Sequence, residues 1–246
     1  MANYLIYPDW PAPENIKAIT TTRQGGFSSP PYDELNLGNH VGDDPDAVNK
    51  NRDYLVKLAQ LPQSPRWLTQ VHGTQVLKSQ NWQADSEADA IISYQSNHVC
   101  TIMTADCLPI LLCNQQGSTV AAIHAGWRGL AAGIIEKTIQ QFSCSGSEIM
   151  AWLGPAIGPE KFEVGQDVYN YFVSQNCNAD EAFKQTDQHH FLADIYLLAR
   201  QRLHSVDVTA VYGGDLCTVS DPNRFFSYRR DDITGRQASM IWKTNK

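Results

Sequence analysis

Apolar positions in this chain follow two periods that alternate along its length. "NHVCTIMTADCLPILLCN" (97–114) and "STVAAIHA" (118–125) are nearly continuous apolar runs, rich in β-branched residues and separated by "NQQG". That pattern predicts buried strands joined as a hairpin. "EIMAWLGPAIG" predicts a strand running into a Gly-Pro turn, and "DVTAVYGGD" another strand. "RWLTQVHG" and "TQVLKSQ" predict short strands flanking Gly73, and "RFFSYRRDDITGRQASMIW" a closing hairpin around Thr234-Gly235. The helical period appears in "DDPDAVNKNRDYLVKLAQL", with Asp44 as N-cap and Pro45 at the first helical position, and in "GLAAGIIEKTIQQF" and "GQDVYNYFVSQ". In "LADIYLLARQRLHSV", Asp194 caps a helix whose Ile195, Leu198, Ala199 and Leu203 form one stripe.

Strand hairpins interleaved with amphipathic helices predict an α+β fold, a mixed β-sheet layered with α-helices, in a single compact domain over residues 1–246. No repeat or linker divides the chain. The longest stretch without a period is 21–48, dense in Gly, Pro, Ser, Asn and Asp, and loops of that length are often functional.

Composition narrows the function. Hydrophobic content of 42% and charged content of 18% belong to an ordinary globular core. A net charge of −7 without any basic block argues against nucleic acid as partner, though a local arginine cluster still suits a single phosphate. No apolar run is long enough for a membrane span, and the first residues lack the pattern of a signal peptide. Six cysteines (100, 107, 113, 144, 177 and 217) without a CxxC pair predict reduced thiols and a cytoplasmic setting. Monomer and homodimer both stay open.

Candidate chemistry comes from the polar residues that interrupt the apolar runs. These are His72 after Val71, Cys107 in "TADCLPILL", and His124 at the end of "TVAAIHA". Imidazole and thiolate are zinc ligands, and a set of three leaves the open position of a catalytic site. The residues stand 35 and 17 positions apart, so only a folded sheet brings them together. Taken singly, each histidine reads equally well as a hydrogen-bonded core or surface residue.

"QVHG", "MTADCLPILL" and "AAIHAGWRGLAAGI" strongly resemble the YfiH-type laccase-domain family, also called multicopper polyphenol oxidase-like proteins. The likeness continues through "TTRQGGFSSPPYDELNLGNHVGDDPDAV", "WLGPAIGPEKFEVG", "ADIYLLARQRL" and "FFSYRRDDITGRQASMIW", and so covers nearly the whole chain. The resemblance implies a mixed sheet layered with helices and zinc on His72, Cys107 and His124. It also implies phosphorolysis of adenosine, inosine, guanosine and methylthioadenosine, with adenosine deamination beside it. The partners are then a purine nucleoside and phosphate. Asp106, beside the cysteine, is the candidate proton carrier or else a carboxylate that orients a histidine. Arg23, next to a Gly pair on the long loop, is the candidate phosphate clamp or else a solvated loop residue. Arg128, Arg229, Arg230, Gln70, Asn36 and Trp127 are lesser candidates for substrate contacts, each with a structural role as the alternative.

Three other readings remain. A copper-dependent polyphenol oxidase suits the donors, since copper outcompetes zinc for them, but a multicopper cluster needs more imidazoles than the seven histidines here. A cysteine hydrolase acting on a peptidoglycan precursor would use Cys107 as nucleophile and a histidine as base. A zinc-stabilised binding module would close the site with a fourth ligand such as Cys217.

Overall fold

The computed structural model describes residues 4–245. Four layers, helix–sheet–sheet–helix, account for most of the chain. The larger sheet has the order β12 (Ala210–Gly213), β8 (Ile149–Leu153), β6 (Leu108–Asn114), β7 (Val120–Ala125), β4 (Ala90–Ser93), β3 (Val76–Lys78). Its outer pairs β12–β8 and β3–β4 are parallel and the inner pairs antiparallel, so the sheet is mixed. The second sheet is antiparallel, in the order β1 (Leu5–Ile6), β2 (Ile16–Thr21), β13 (Gln237–Lys243), β5 (Cys100–Thr104). A small third sheet joins β10 (Phe183–Gln185), β11 (His190–Ala193) and β9 (Glu163–Gly165).

Side-chain alternation on β6 shows how the layers are held. Ile110 and Leu112 face a core shared with α3 (Ile134–Ile139), α4 (Gln166–Gln175) and α5 (Ile195–Ser205). Leu111 and Cys113 face the opposite way, onto Ile102 and Ile241 of the second sheet. Because β6 is covered on both faces, its sequence is apolar throughout rather than alternating. The far side of the second sheet packs Ile19, Met103 and Met240 against Leu35, Leu37 and Leu55 of α1 (Pro45–Leu58). The predicted caps are present: Asp44 accepts from the Asp46 N–H with Pro45 at the helix start, and Asp194 accepts from the Leu197 N–H. Among the described residues no helix is long and apolar enough to cross a membrane.

Four local expectations are corrected. The segment "NHVCTIMTADCLPILLCN" holds two strands, β5 and β6, and they belong to different sheets; Ala105, Asp106 and Cys107 carry the chain across, with Asp106 at φ 90. β6 and β7 do form the predicted hairpin. Residues 66–71 make only isolated bridges. There the Gln70 amide, rather than a backbone ladder, bonds both the N–H and the carbonyl of Met103. No closing hairpin forms around Thr234-Gly235. Ser227 instead caps a short helix, α6 (Tyr228–Asp231), and β13 pairs with β2 and β5. The "GLAAGIIEKTIQQF" helix is also divided, into α2 (Trp127–Ala131) and α3, by Gly133 at φ 89.

Candidate metal centre

Two of the polar interruptions sit at strand ends. Cys107 immediately precedes β6, and His124 lies within β7 opposite Pro109. His72 arrives on the irregular segment before β3, with φ 58. The fold brings all three together: their ligand atoms lie within 4.8 Å of one another. Cys107 Sγ is 3.8 Å from His72 Nε2, and the two imidazoles meet edge to face with centroids 4.8 Å apart. His124 is buried, Cys107 half-buried and His72 exposed, so the cluster opens to one side.

Asp89 builds this geometry. It is fully buried, directly before β4, in register with His124 across the β4–β7 pair. Oδ1 accepts from His124 Nδ1 at 2.8 Å and from the His72 N–H at 2.9 Å; Oδ2 accepts from the N–H groups of Gly73 at 2.7 Å and Val71 at 3.3 Å. One carboxylate thus sets the ring orientation of one histidine and the backbone of the other. It leaves His124 Nε2 as the donor for a metal, an arrangement common behind histidine ligands. Burial alone would raise the Asp89 carboxyl, but the bond from His124, those from Gly73 and Val71, and the imidazole's charge together hold it below the usual range.

Electrostatics favour a thiolate. Burial, the largest influence, pushes Cys107 up, yet the charge and hydrogen bond of His124 and then those of His72 outweigh it, leaving the thiol at about 6. Burial likewise lowers His124, but the Cys107 thiolate and Asp89 raise it to about 9. Burial pushes Cys100, against the opposing charge of Arg66, and Cys113 up to about 12.

The residues fit a bound metal. Two imidazoles and a thiolate form a zinc-type donor set, and no fourth such donor joins them among the described residues. Cys217, the candidate for closing the site, instead accepts from the Gly158 N–H. Gly126 leaves the space. A Cβ there would lie 3.0 Å from His72 Cδ2, 3.1 Å from Cys107 Sγ and 3.6 Å from His124 Cε1. Its backbone, at φ −60, suits any residue, so the glycine serves clearance rather than conformation. Gly126→Ala should therefore keep the fold, with an unchanged circular dichroism spectrum, while metal affinity falls about tenfold as the ligands are pushed aside. Undiminished affinity in a chelator competition would show that this space is dispensable.

Two chambers meet at the cluster. One, of about 320 Å³, is lined by His40, Gln70, Thr104 and Arg236 together with the three donors. The other, of about 260 Å³, has walls of Trp127, Ile157, Phe162 and Ile195, with Arg128 at its edge. His72, Ala105, Cys107 and Tyr228 belong to both.

The remaining sequence candidates lie as follows. Asp106 lines the apolar chamber, but Oδ1 accepts from Thr218 Oγ1 at 2.5 Å and Oδ2 from the Arg229 N–H at 2.6 Å. It anchors α6; the carboxylate that orients a histidine is Asp89. Arg23 is not among the residues lining either chamber. Its Nε donates to the Asp33 carbonyl, Nη2 pairs with the Asp33 carboxylate, and its guanidinium stacks on Phe226. Arg128 stacks on Trp127, and Arg229 donates to the carbonyls of Lys161 and Glu163. Arg230 pairs with Asp231, and buried Asn36 braces the long loop through Gly38 and Asp43. Asp89 and Arg236 were not singled out by the sequence. In "SEADAIISY" an aspartate before an apolar run looks like an ordinary strand boundary, and only the strand pairing places it beside His124.

Residues 17–244 match the family model described as multi-copper polyphenol oxidoreductase laccase. The chain is 53% identical over 239 residues to purine nucleoside phosphorylase YfiH of Escherichia coli strain K12, covering 97% of this chain and 98% of that protein. It is 51% identical over 241 residues to a purine nucleoside phosphorylase of Pseudomonas aeruginosa, covering 98% of each. Among solved structures, Neisseria meningitidis protein NMB0706 superposes with a TM-score of 0.95 at 46% identity, over 98% of this chain and all 100% of that one.

Proposed function

From the premise that this chain belongs to the multi-copper polyphenol oxidoreductase laccase family, we propose that it is a zinc-dependent purine nucleoside phosphorylase, with adenosine deamination as a side activity. The naming of its full-length relatives supports the reaction class. The observation that carries the reading is the open set of His72, Cys107 and His124 where two chambers meet, His72 and Cys107 lining both.

These three residues would hold the ion. When bound, zinc supplies a Lewis-acid charge that stabilises negative charge developing on substrate and acidifies water. The chain's own residues do the positioning. Asp89 fixes both histidines. Asp106 fixes the turn that presents Cys107 and, through Arg229, the helix whose Tyr228 borders both chambers. Trp127 and Phe162 offer flat apolar faces to a purine. The six free thiols suit a reducing, cytoplasmic setting.

The low Cys107 thiol beside two imidazoles favours one second reading, a cysteine nucleophile. A single experiment separates the two. Inosine and adenosine are incubated with and without phosphate, using native protein, protein stripped by a chelator, and stripped protein resupplied with zinc. The expected result is free base and ribose 1-phosphate only with phosphate and metal, and inosine from adenosine without phosphate. Stripped protein that keeps full activity and loses it on alkylation of Cys107 would replace the metal reading with the nucleophile.

A further inference from the structure

We propose that the chamber bordered by His40, Gln70, Thr104 and Arg236 is an inorganic phosphate subsite with Arg236 as its principal ligand, and that the apolar chamber across the donor cluster takes the purine. The identity of the two ligands rests on the phosphorylase reading above; the anion site itself rests on the geometry.

Arg236 is half-buried just before β13. Its stem lies over Gly38, where a Cβ would come within 2.8 Å of Arg236 Cγ, so the glycine makes room for it. Nη1 donates to the carbonyls of Thr234 at 3.0 Å and Gly235 at 2.9 Å, which fixes the plane of the guanidinium. Among the described residues the hydrogen bonds of the side chain engage Nη1 and leave donors on the other nitrogens. No carboxylate lies within ion-pair distance of it among the described residues. The neighbouring Arg52 is likewise without a carboxylate: Nε and Nη2 donate to the Leu37 carbonyl and its guanidinium stacks over Trp67. After burial, the charges of Arg236 and then Arg52 hold His40 below its usual range, so both positive fields reach that wall of the chamber.

The other arginines beside the cluster are less suited. Arg128 is exposed and stacked on Trp127, and Arg229 is tied to two carbonyls. Cys107 and Asp106 lend Arg236 some negative charge from beyond ion-pair distance. In a chain of net charge −7, two guanidiniums with no carboxylate in contact still form a local positive field, which an anion in the chamber would neutralise. A guanidinium fork matches two oxygens of a phosphate.

The arrangement also fits the bond exchange. An oxygen of phosphate forms a bond to C1′ of the ribose while the C1′–N9 bond breaks; the electron pair departs with the purine, which takes up a proton. Attacking oxygen and departing nitrogen lie on opposite sides of C1′. The two chambers have His72, Ala105, Cys107 and Tyr228 in common, so a ribose seated over these residues would have phosphate on one side and purine on the other.

The test compares wild type with Arg236→Gln, Arg236→Lys and Arg23→Gln. In phosphorolysis, Arg236→Gln should raise the KM for phosphate about 10–100-fold and move that for inosine by less than about threefold. Arg23→Gln should leave the phosphate KM within about threefold of wild type. The inference is overturned if Arg236→Gln leaves the phosphate KM unchanged or raises both KM values equally, or if Arg23→Gln alone weakens phosphate. Should Arg236→Gln not fold, Arg236→Lys carries the test, because a point charge lacks the fork; an unchanged phosphate KM there overturns it too. Should the wild type release no base, the phosphorylase reading fails, but calorimetric titration with inorganic phosphate still judges the site. Saturable binding by wild type that is lost in Arg236→Gln upholds it, and no saturable binding by wild type overturns it.

Discussion

Cys107→Ala is expected to leave a folded protein that retains no stoichiometric zinc and turns over nucleosides about a thousandfold more slowly. Its side chain is half-buried and points to His72 and His124 rather than into a core cluster, so its loss removes little packing. Removing one of three donors leaves two imidazoles, too few to close a tetrahedral site around the ion. Cys113→Ala is the matched control, because Cys113 lies six residues along the same strand segment, fully buried between the sheets. It should lose stability through the cavity but keep its metal. Elemental analysis and activity after adding zinc to stripped protein give the readouts. A Cys107→Ala protein with full zinc content would remove this residue from the site.

Asp89→Asn should lower zinc affinity by about 10–100-fold and also cost about 2–4 kcal/mol of stability. The carboxylate receives four donors, from His124 and from the backbone of residues 71–73. An amide has one acceptor oxygen, so its NH₂ would face donors that are buried with it. The stability loss alone would fit a merely structural residue. The discriminating measurement is the visible spectrum of cobalt-substituted protein, which reports ligand geometry: Asp89→Asn should shift it, while an equally destabilising core change such as Leu111→Ala should not. Identical spectra in Asp89→Asn and wild type would reduce Asp89 to a fold-stabilising role.

The donors were legible in the sequence because a cysteine and a histidine stood out within otherwise apolar runs, and "QVHG" added the third. The helix starts at Asp44 and Asp194 were legible because capping is local chemistry. What the sequence hid depends on partners distant along the chain. Residues 66–71 have the composition of a strand, but Gln70 satisfies the Met103 backbone from 33 residues away and no ladder develops. The closing hairpin failed because Asp106 holds the Arg229 N–H across 123 residues and Ser227 caps α6. Asp89 and Arg236 take their roles from strand pairing and loop packing, which no periodicity reveals.

The turn at Ala105–Cys107 leaves one sheet and enters the other, with Asp106 at φ 90 pinned by Thr218 and by Arg229. It therefore acts as a rigid coupling between two stacked plates, with a donor at its end. Cys107 inherits its position from both plates, whereas His124 inherits its position from the larger one alone. Any slip between them is converted directly into a change in the thiolate–imidazole separation, and such sites tolerate errors of only about 0.5 Å. Linear distance from the donors is then a poor guide to mutational sensitivity. Ile102, Leu111 and Trp152, which key the plates together, bear on the chemistry more than side chains of the outer helical layer such as Leu203, which can repack without moving either plate.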